Sequence, residues 1–426
     1  MMVMKNDNML PDVFSEQWKP WFQRAELAPI FEKAEQDGIN VLKTSSTRFE
    51  QFGKWLCEST EISENDTYRF NVEFKTENMS HETVTLHVML TWQDLEGTPL
   101  TRDFADCIRD LGDGWKSISR TLDAPEKAVS LTVELVYKWS ENGSVCWRRP
   151  VLEKAEPVTH RIVRVASAFI KRTETLEGNL EQMLRMIDKA GAEKADVICL
   201  GETVYDWGTS LPVSQSAVAI PGPVTDILAE RARKHNMYII LSMNEKEGDY
   251  YYNAGVLIDR KGNIAGKSRK VQLPLCEGED GMTPGSGYPV FDTDFGRIAI
   301  MICFELGFPE VSRILAMKGA EIIFVPTLGV SDIEIHAPSR AAENGVHIVV
   351  SGRRVSNYPC IVYNPAGEAI ASVMGRDCND EGLCLATLDL DKRFYVYWFS
   401  VGAANGESKN CYMQSRRSDT YGMLTS

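Results

Sequence analysis

Three residues, Glu202, Lys270 and Cys303, each stand at or just past the end of a short β-prone run: "DVICLGE", "GKSRKVQLP" and "IAIMICFE". A thiol attacks as its thiolate and needs a base to become one. A carboxylate can take that proton. An ammonium beside them can stabilise both the thiolate and the oxyanion formed when sulfur adds to a carbonyl. In α/β sheets, functional groups collect where strand ends and their following loops converge, so three such types at strand ends point to one covalent site.

Each type also has an ordinary use. Free cysteine is most often a small buried apolar side chain, and glutamate is usually solvated. Lys267 and Arg269 beside Lys270 suggest a merely basic surface strand. Glu202, however, follows an apolar strand directly rather than sitting in a charged run, and residues 267 and 270 of an extended strand face opposite sides, so only one can face a site. Cys199 and Cys384, inside apolar strands, keep the ordinary use.

The elements that position these residues alternate. After "EKAEPVTH" come a strand "RIVRVASAFI", a helix "NLEQMLRMIDKAGAEKA" opened by Asn179, and a strand "DVICL". A helix "TDILAERARKHN", a strand "MYIILSMN" and a hairpin turned at "RKGN" come next. Beyond Cys303 stand a helix "PEVSRILAMKGA", a strand "EIIFVPT", a helix "SRAAENGV", a strand "HIVVSG" and a hairpin through "NPAGE". This order predicts an α/β domain over 158–426 with helices outside a buried sheet.

The preceding half has period two. Tyr68, Phe70, Val72 and Phe74 alternate with polar residues, as do Val84 to Trp92 and Leu131 to Trp139, which predicts amphipathic strands. With turn signals at "DLEGTP" and "LGDGW", residues 1–157 read as an all-β sandwich or jelly roll, closed at an edge or end by the segment around Trp18, Trp21 and Phe22.

With 426 residues, two domains are expected. A formal net charge of −14 leaves no excess of cations for phosphates, which argues against nucleic acid and anionic membrane as partners. No basic, apolar leader opens the chain, and no window reaches the ~18 apolar residues of a membrane span. Ten scattered cysteines without CxxC fit reduced thiols and a cytoplasmic protein. The six histidines show no metal-ligand spacing.

The stretch from about 161 to 421 resembles the nitrilase superfamily of carbon–nitrogen hydrolases, whose members carry Glu, Lys and Cys in this chain order. The blocks that carry the resemblance lead to Glu202, to Lys270 ("GVLIDRKGNIAGKSRKVQLP") and around Cys303 ("DTDFGRIAIMICFELGFPEVSRILAMKGAEIIFVPT"), followed by "SRAAENGVHIVVSG". The resemblance implies a four-layer αββα sandwich, assembly into homodimers or larger homo-oligomers, and hydrolysis of a non-peptide C–N bond through a thioester, with no metal or organic cofactor. It also implies a second glutamate between lysine and cysteine, assigned to Glu277 with Glu279 as the competing choice. Phe304, whose N–H would face the oxyanion, Thr327 and His336 are the expected substrate-binding residues, with His336 in a loop. Glu305 is expected to cement the turn or border the pocket, and His347 to be a partly buried histidine rather than half of a Cys–His pair.

Substrate choice rests on the residues just after the cysteine. Relatives acting on carbamoylated amino acids look as though they use basic residues there, where this chain has Leu306 and Gly307; Arg353 or Arg354 are the alternative cations. True nitrilases usually have tryptophan where this chain has Phe304. A small neutral amide is the preferred class, with a nitrile or a carbamoyl compound as alternatives, and acyl transfer or a non-catalytic sugar-binding protein as further ones. The first domain looks like a galactose-binding-type, carbohydrate-binding module, on which an exposed Trp115 or Trp147 could stack on sugars. Trp207 and the run "FYVYWF", 394 to 399, are read as pocket wall, core or subunit interface.

Overall fold

The computed structural model describes residues 8–79, 81–329, 333–352, 359–375, 380–398 and 404–425. The chain divides into two units, Met1–Thr159 with Tyr395–Ser426, and His160–Phe394. The expected division assigned everything after 157 to one domain. The structure instead groups the last segment with the first unit, because Ala404–Glu407 pairs in parallel with Pro99–Ala105 and antiparallel with Tyr395–Trp398. Strand pairing across three hundred residues leaves no local signal in the sequence.

The first unit contains a seven-stranded and a six-stranded sheet. The alternating residues face one shared core: Tyr68, Phe70, Val72 and Phe74 from one sheet meet Val88, Leu90, Trp92, Leu131, Val133 and Leu135 from the other. Lys19–Trp21 is an edge strand against Phe52–Ser59, and Trp18 is buried. Val84 lies in a helical turn, Glu82–Thr85, so the strand expected from Val84 begins at Leu86. Trp115 and Trp147 are 4% and 1% exposed, which corrects their expected availability for stacking on sugars. The Arg148 guanidinium lies 3.6 Å from the centre of the Trp115 ring, and Trp147 packs against Phe74.

The second unit holds two six-stranded sheets. The centre of one is parallel, with Val197–Cys199 between Ile162–Phe169 and Tyr238–Glu247. The other has Ile322–Thr327 between Arg297–Ile300 and His347–Gly352, also parallel. Val165, Val197, Cys199 and Ile240 from the first sheet meet Ile298, Ile300, Phe324 and Val349 from the second in one core. On the other face of the first sheet, Ile198, Ile239 and Leu241 pack on Met183, Met186 and Ile187 of helix Leu176–Ala192 and on Leu228 and Ala232 of helix Pro223–His235. Strand alternation turns Ile323, Val325, Ile348 and Val350 away from the inter-sheet core, and helix Ile333–Asn344 packs along strand His347–Gly352. Burying each aliphatic side chain contributes about 1.5–3 kcal/mol, so this double-sided burial fixes the strand ends firmly.

The sheets are also joined by hydrogen bonds at those ends. Ser167 Oγ donates to Val350 O at 2.6 Å, and Ser351 Oγ lies 2.7 and 2.8 Å from the carbonyls of Ala168 and Cys199. At Gly255 an added Cβ would lie 2.6 Å from Ile300 Cγ2, so only glycine permits this sheet spacing. One helix starts elsewhere than expected: Thr175, not Asn179, caps Leu176–Ala192, its Oγ1 accepting from Gly178 N at 3.0 Å. Asn179 is a buried residue inside that helix, donating to the carbonyls of Tyr205 and Trp207 and so tying down the loop after Glu202. Trp207 packs against the helix-side core.

Candidate active site

Glu202 follows strand Val197–Cys199 by three residues and is fully buried. Its Oε1 accepts from Lys270 Nζ at 2.9 Å and from Asn253 Nδ2 at 2.8 Å; its Oε2 accepts from the Leu328 N–H at 2.9 Å. Lys270 comes directly after strand Ile264–Arg269, and its backbone N–H donates to the carbonyl of Asn253 on the neighbouring strand. Lys267 faces the other way and pairs with Glu245, as strand alternation requires.

The Lys270 side chain is 1% exposed and donates to Glu277 Oε1 at 2.5 Å as well as to Glu202. Burial pushes its ammonium down, but Glu202, Cys303 and Glu277 outweigh that, and the amine stays protonated above its ordinary range. Glu277 lies in the short helix Leu275–Glu279 and its carboxyl is raised, mainly by burial. Glu279, two residues on, is exposed. Between the two candidates, Glu277 is the one brought to the lysine.

Cys303 opens the 3-10 turn Cys303–Gly307 with φ at 46°, a left-handed conformation unusual for cysteine and of the kind found at strained functional positions. Burial and the nearby Glu202 charge push its thiol up to about 12, against the opposing effects of Lys270 and a hydrogen bond with Thr327. A hydrogen bond with Glu202 raises it further. Burial and the neighbouring glutamate thus both favour the neutral thiol over the thiolate. Thr327 is fully buried at the end of strand Ile322–Thr327.

Glu305 is 2% exposed and cements the turn. Its Oε2 accepts from the Ile302 N–H at 2.8 Å, and its Oε1 from the Val271 N–H at 2.9 Å. One carboxylate thus ties the residue before the cysteine to the residue after the lysine. Phe304 is 41% exposed and meets Phe308 edge-on at 5.2 Å. His336 lies in helix Ile333–Asn344, half-buried, rather than in the expected loop; among the described residues no hydrogen bond or ion pair joins it to Cys303 or Glu202. His347 is buried at the start of its strand against Phe394, and burial takes its imidazole down to about 4. Arg353 and Arg354 lie outside the described residues, as does Phe399 of the aromatic run.

Sequence reasoning missed Asn253, Ser242 and the Leu328 N–H. Asn253 had a signal: a polar amide within the apolar run "YYNAGVLID" must find partners once buried. The backbone donor had none.

Residues 118–393 match the carbon–nitrogen hydrolase family. A nitrilase of Pyrococcus abyssi is 38% identical over 176 residues, 41% of this chain and 66% of that protein, so the chain spans just under two thirds of it. An omega-amidase NIT2 of Bos taurus is 27% identical over 251 residues, 54% of this chain and 89% of that protein. The crystal structure of an amidase from Nesterenkonia sp. superposes with a TM-score of 0.50 at 21% identity, covering 63% of this chain and 99% of its own, and so shares the fold.

Proposed function

This chain belongs to the carbon–nitrogen hydrolase family, and from that membership we propose that it hydrolyses a small neutral amide through a thioester on Cys303. Glu202 is the base. An ionised carboxylate offers about four lone-pair positions; Lys270 and Asn253 occupy both on Oε1, and Leu328 N–H occupies one on Oε2. The position left on Oε2 receives the thiol proton as sulfur adds to the carbonyl carbon. Lys270 has three N–H donors, two of them engaged by Glu202 and Glu277. The third, with the Phe304 N–H, meets the oxyanion.

Collapse of the tetrahedral intermediate breaks the C–N bond. The proton held by Glu202 passes to the departing nitrogen, and ammonia or an amine leaves. Glu202 then takes a proton from water, whose oxygen attacks the thioester, and the acid leaves as Cys303 regains its proton. Glu277 keeps Lys270 charged and oriented throughout. Thr327 touches the sulfur, and Phe304 offers an apolar wall to the substrate.

The observation that carries this reading is the buried Lys270 side chain, held between Glu202 and Glu277 within electrostatic reach of Cys303. The choice of a neutral substrate draws on the turn after the cysteine. Arg340 reaches it, but its guanidinium is spent on the carbonyls of Leu306 and Gly307 and on Glu343. A panel of matched amides, nitriles and carbamoyl compounds, with ammonia release and intact mass as readouts, tests the proposal. The expected result is turnover on amides and an acyl adduct that Cys303→Ala abolishes. No turnover on any compound, with Cys303→Ala indistinguishable from the parent, rejects it.

The two-sheet unit is read as a jelly roll. With Trp115 and Trp147 buried, any sugar contact falls to polar side chains, and titration of the full chain with mono- and oligosaccharides tests it. The enzyme is further read as a cytoplasmic homo-oligomer, with light scattering as the measure of assembly.

A further inference from the structure

Asn253 is 2% exposed and sits at the centre of the carboxylate network, on strand Tyr250–Ile258 opposite Lys270. Its Oδ1 accepts from Ser242 Oγ at 2.5 Å, and Ser242 Oγ in turn accepts from the N–H of Thr203, the residue after Glu202, at 3.3 Å. Because the ionised Glu202 carboxylate can only accept, the amide turns its NH2 towards it and leaves Oδ1 for Ser242, so the hydroxyl proton points at Asn253. Thr203 itself stands at φ 42°, so this loop is held in the left-handed region. The NH2 group donates to Glu202 Oε1 and also favours the charged form of Glu277.

We propose that Asn253, oriented by Ser242, is a positioning residue that blocks protonation of Glu202 on Oε1 and so directs the Cys303 proton to Oε2. This rests on the reading of Glu202 as the base. Occupancy is the physical ground: with Asn253 and Lys270 both donating to Oε1, that oxygen cannot take a proton without losing a donor. Without Asn253, Oε1 regains an open lone pair. Glu202 can then be protonated where the proton is useless, and it loses a charge-assisted hydrogen bond that favours its ionised form. The titratable groups around Glu202 are Lys270, Glu277 and the Cys303 thiol, and Glu305 interacts with Lys270.

The decisive comparison is Asn253→Asp against Asn253→Ala. Aspartate keeps the shape and still accepts from Ser242, but it cannot donate. A packing role predicts that Asp is the milder change; a donor role predicts that Asp is the worse. The expected result is a kcat about 10- to 100-fold down in Asn253→Ala with KM little changed, and a larger fall in Asn253→Asp. The acid limb of kcat/KM moves to higher pH, because loss of a donor to the carboxylate disfavours its ionised form.

An assay free of substrate runs alongside: the rate of Cys303 alkylation by iodoacetamide at pH 8, followed by mass. An added carboxylate beside Glu202 makes the thiol still harder to ionise, so Asn253→Asp alkylates about tenfold more slowly than the parent. Thermal melting reports whether each variant folds. Ser242→Ala, which keeps the amide and frees its orientation, serves as the second variant and is expected to give smaller effects of the same sign. Parent-like alkylation and an unmoved acid limb in Asn253→Asp, or Asp milder than Ala, overturn the inference while leaving the thioester mechanism standing. Failure of the parent enzyme to form any Cys303 adduct with the substrate panel overturns the mechanism instead, and the alkylation comparison still decides the role of Asn253.

Discussion

Replacing Lys270 by methionine removes one charge while keeping an unbranched chain in a site where the lysine is 1% exposed. Two carboxylates are then left facing each other, Glu202 fully buried and Glu277 with 20% of its side chain exposed. Removing one partner from a buried ion pair costs about 3–5 kcal/mol when the remaining charge stays ionised. In the variant the Glu277 carboxyl, raised by burial already in the parent, loses the lysine that opposed that rise, so its folded pKa lies above the unfolded value of about 4.3. Between those limits the folded state holds more protons than the unfolded one, so stability falls as pH rises.

In the parent, the amine is raised above its unfolded value, so its contribution is complete at all pH values below about 10 and is lost only as pH rises through the folded value. Urea unfolding at pH 5 and pH 8 separates the two. The variant should lose about 3–5 kcal/mol at pH 8 and clearly less at pH 5. Adding Glu277→Gln to Lys270→Met removes one of the two opposed charges and should restore part of the loss at pH 8. Turnover should fall by at least about 10²–10³, the usual effect of losing one oxyanion donor. Equal destabilisation at both pH values, or no recovery in the double variant, would show that Lys270 is held by packing rather than by charge.

Glu305→Ala leaves the Ile302 and Val271 N–H groups without their acceptor and should cost about 2 kcal/mol in denaturant unfolding. It should also lower kcat about tenfold, because the turn that sets Cys303 against Lys270 slackens; a drop in stability with unchanged kcat would separate the turn from the chemistry. Alkylation of Cys303 by iodoacetamide should rise about tenfold per pH unit from pH 7 to 9.5 without levelling, since the thiol is held neutral up to about 12. A plateau below pH 8 would reveal a resting thiolate and contradict that assignment.

The alternating strands were legible because one buried face needs nothing beyond the local pattern: Tyr68, Phe70, Val72 and Phe74 are all buried, as are Leu131, Val133, Leu135 and Tyr137. Glu202, Lys270 and Cys303 could be picked out for a similar reason, since each follows a run of strand residues and chain order identified the chemistry. The choice between Glu277 and Glu279 could not be read with the same force. Two residues apart on a helical turn they point to opposite sides, and only the docking of Leu275–Glu279 decides which turns inward. Thr175 and Asn179 are both good capping types, and the winner is the one whose oxygen meets the Gly178 N–H. Trp115 misled for a different reason: cross-strand pairing brings Arg148 and Lys75 over its ring, and such neighbours are invisible along the chain.

The charges at the site also constrain what it can accept. Glu202 and Glu277 oppose one ammonium, leaving a net charge of −1 in a space where each unpaired charge costs several kcal/mol. A resting thiolate would make that −2, which accounts for a thiol held up to about 12 despite a lysine beside it. When a neutral amide is attacked, the thiol proton moves to Glu202 and the new negative charge appears on the carbonyl oxygen. The net charge is therefore −1 before and after the step, and the negative charge has only moved from a carboxylate that Lys270 holds to an oxyanion that Lys270 can hold. A substrate bearing a carboxylate near the reacting carbon would add a charge with Arg340 already committed to Leu306, Gly307 and Glu343. The buried charge balance thus favours the neutral amide on the same physical grounds that keep the nucleophile protonated at rest.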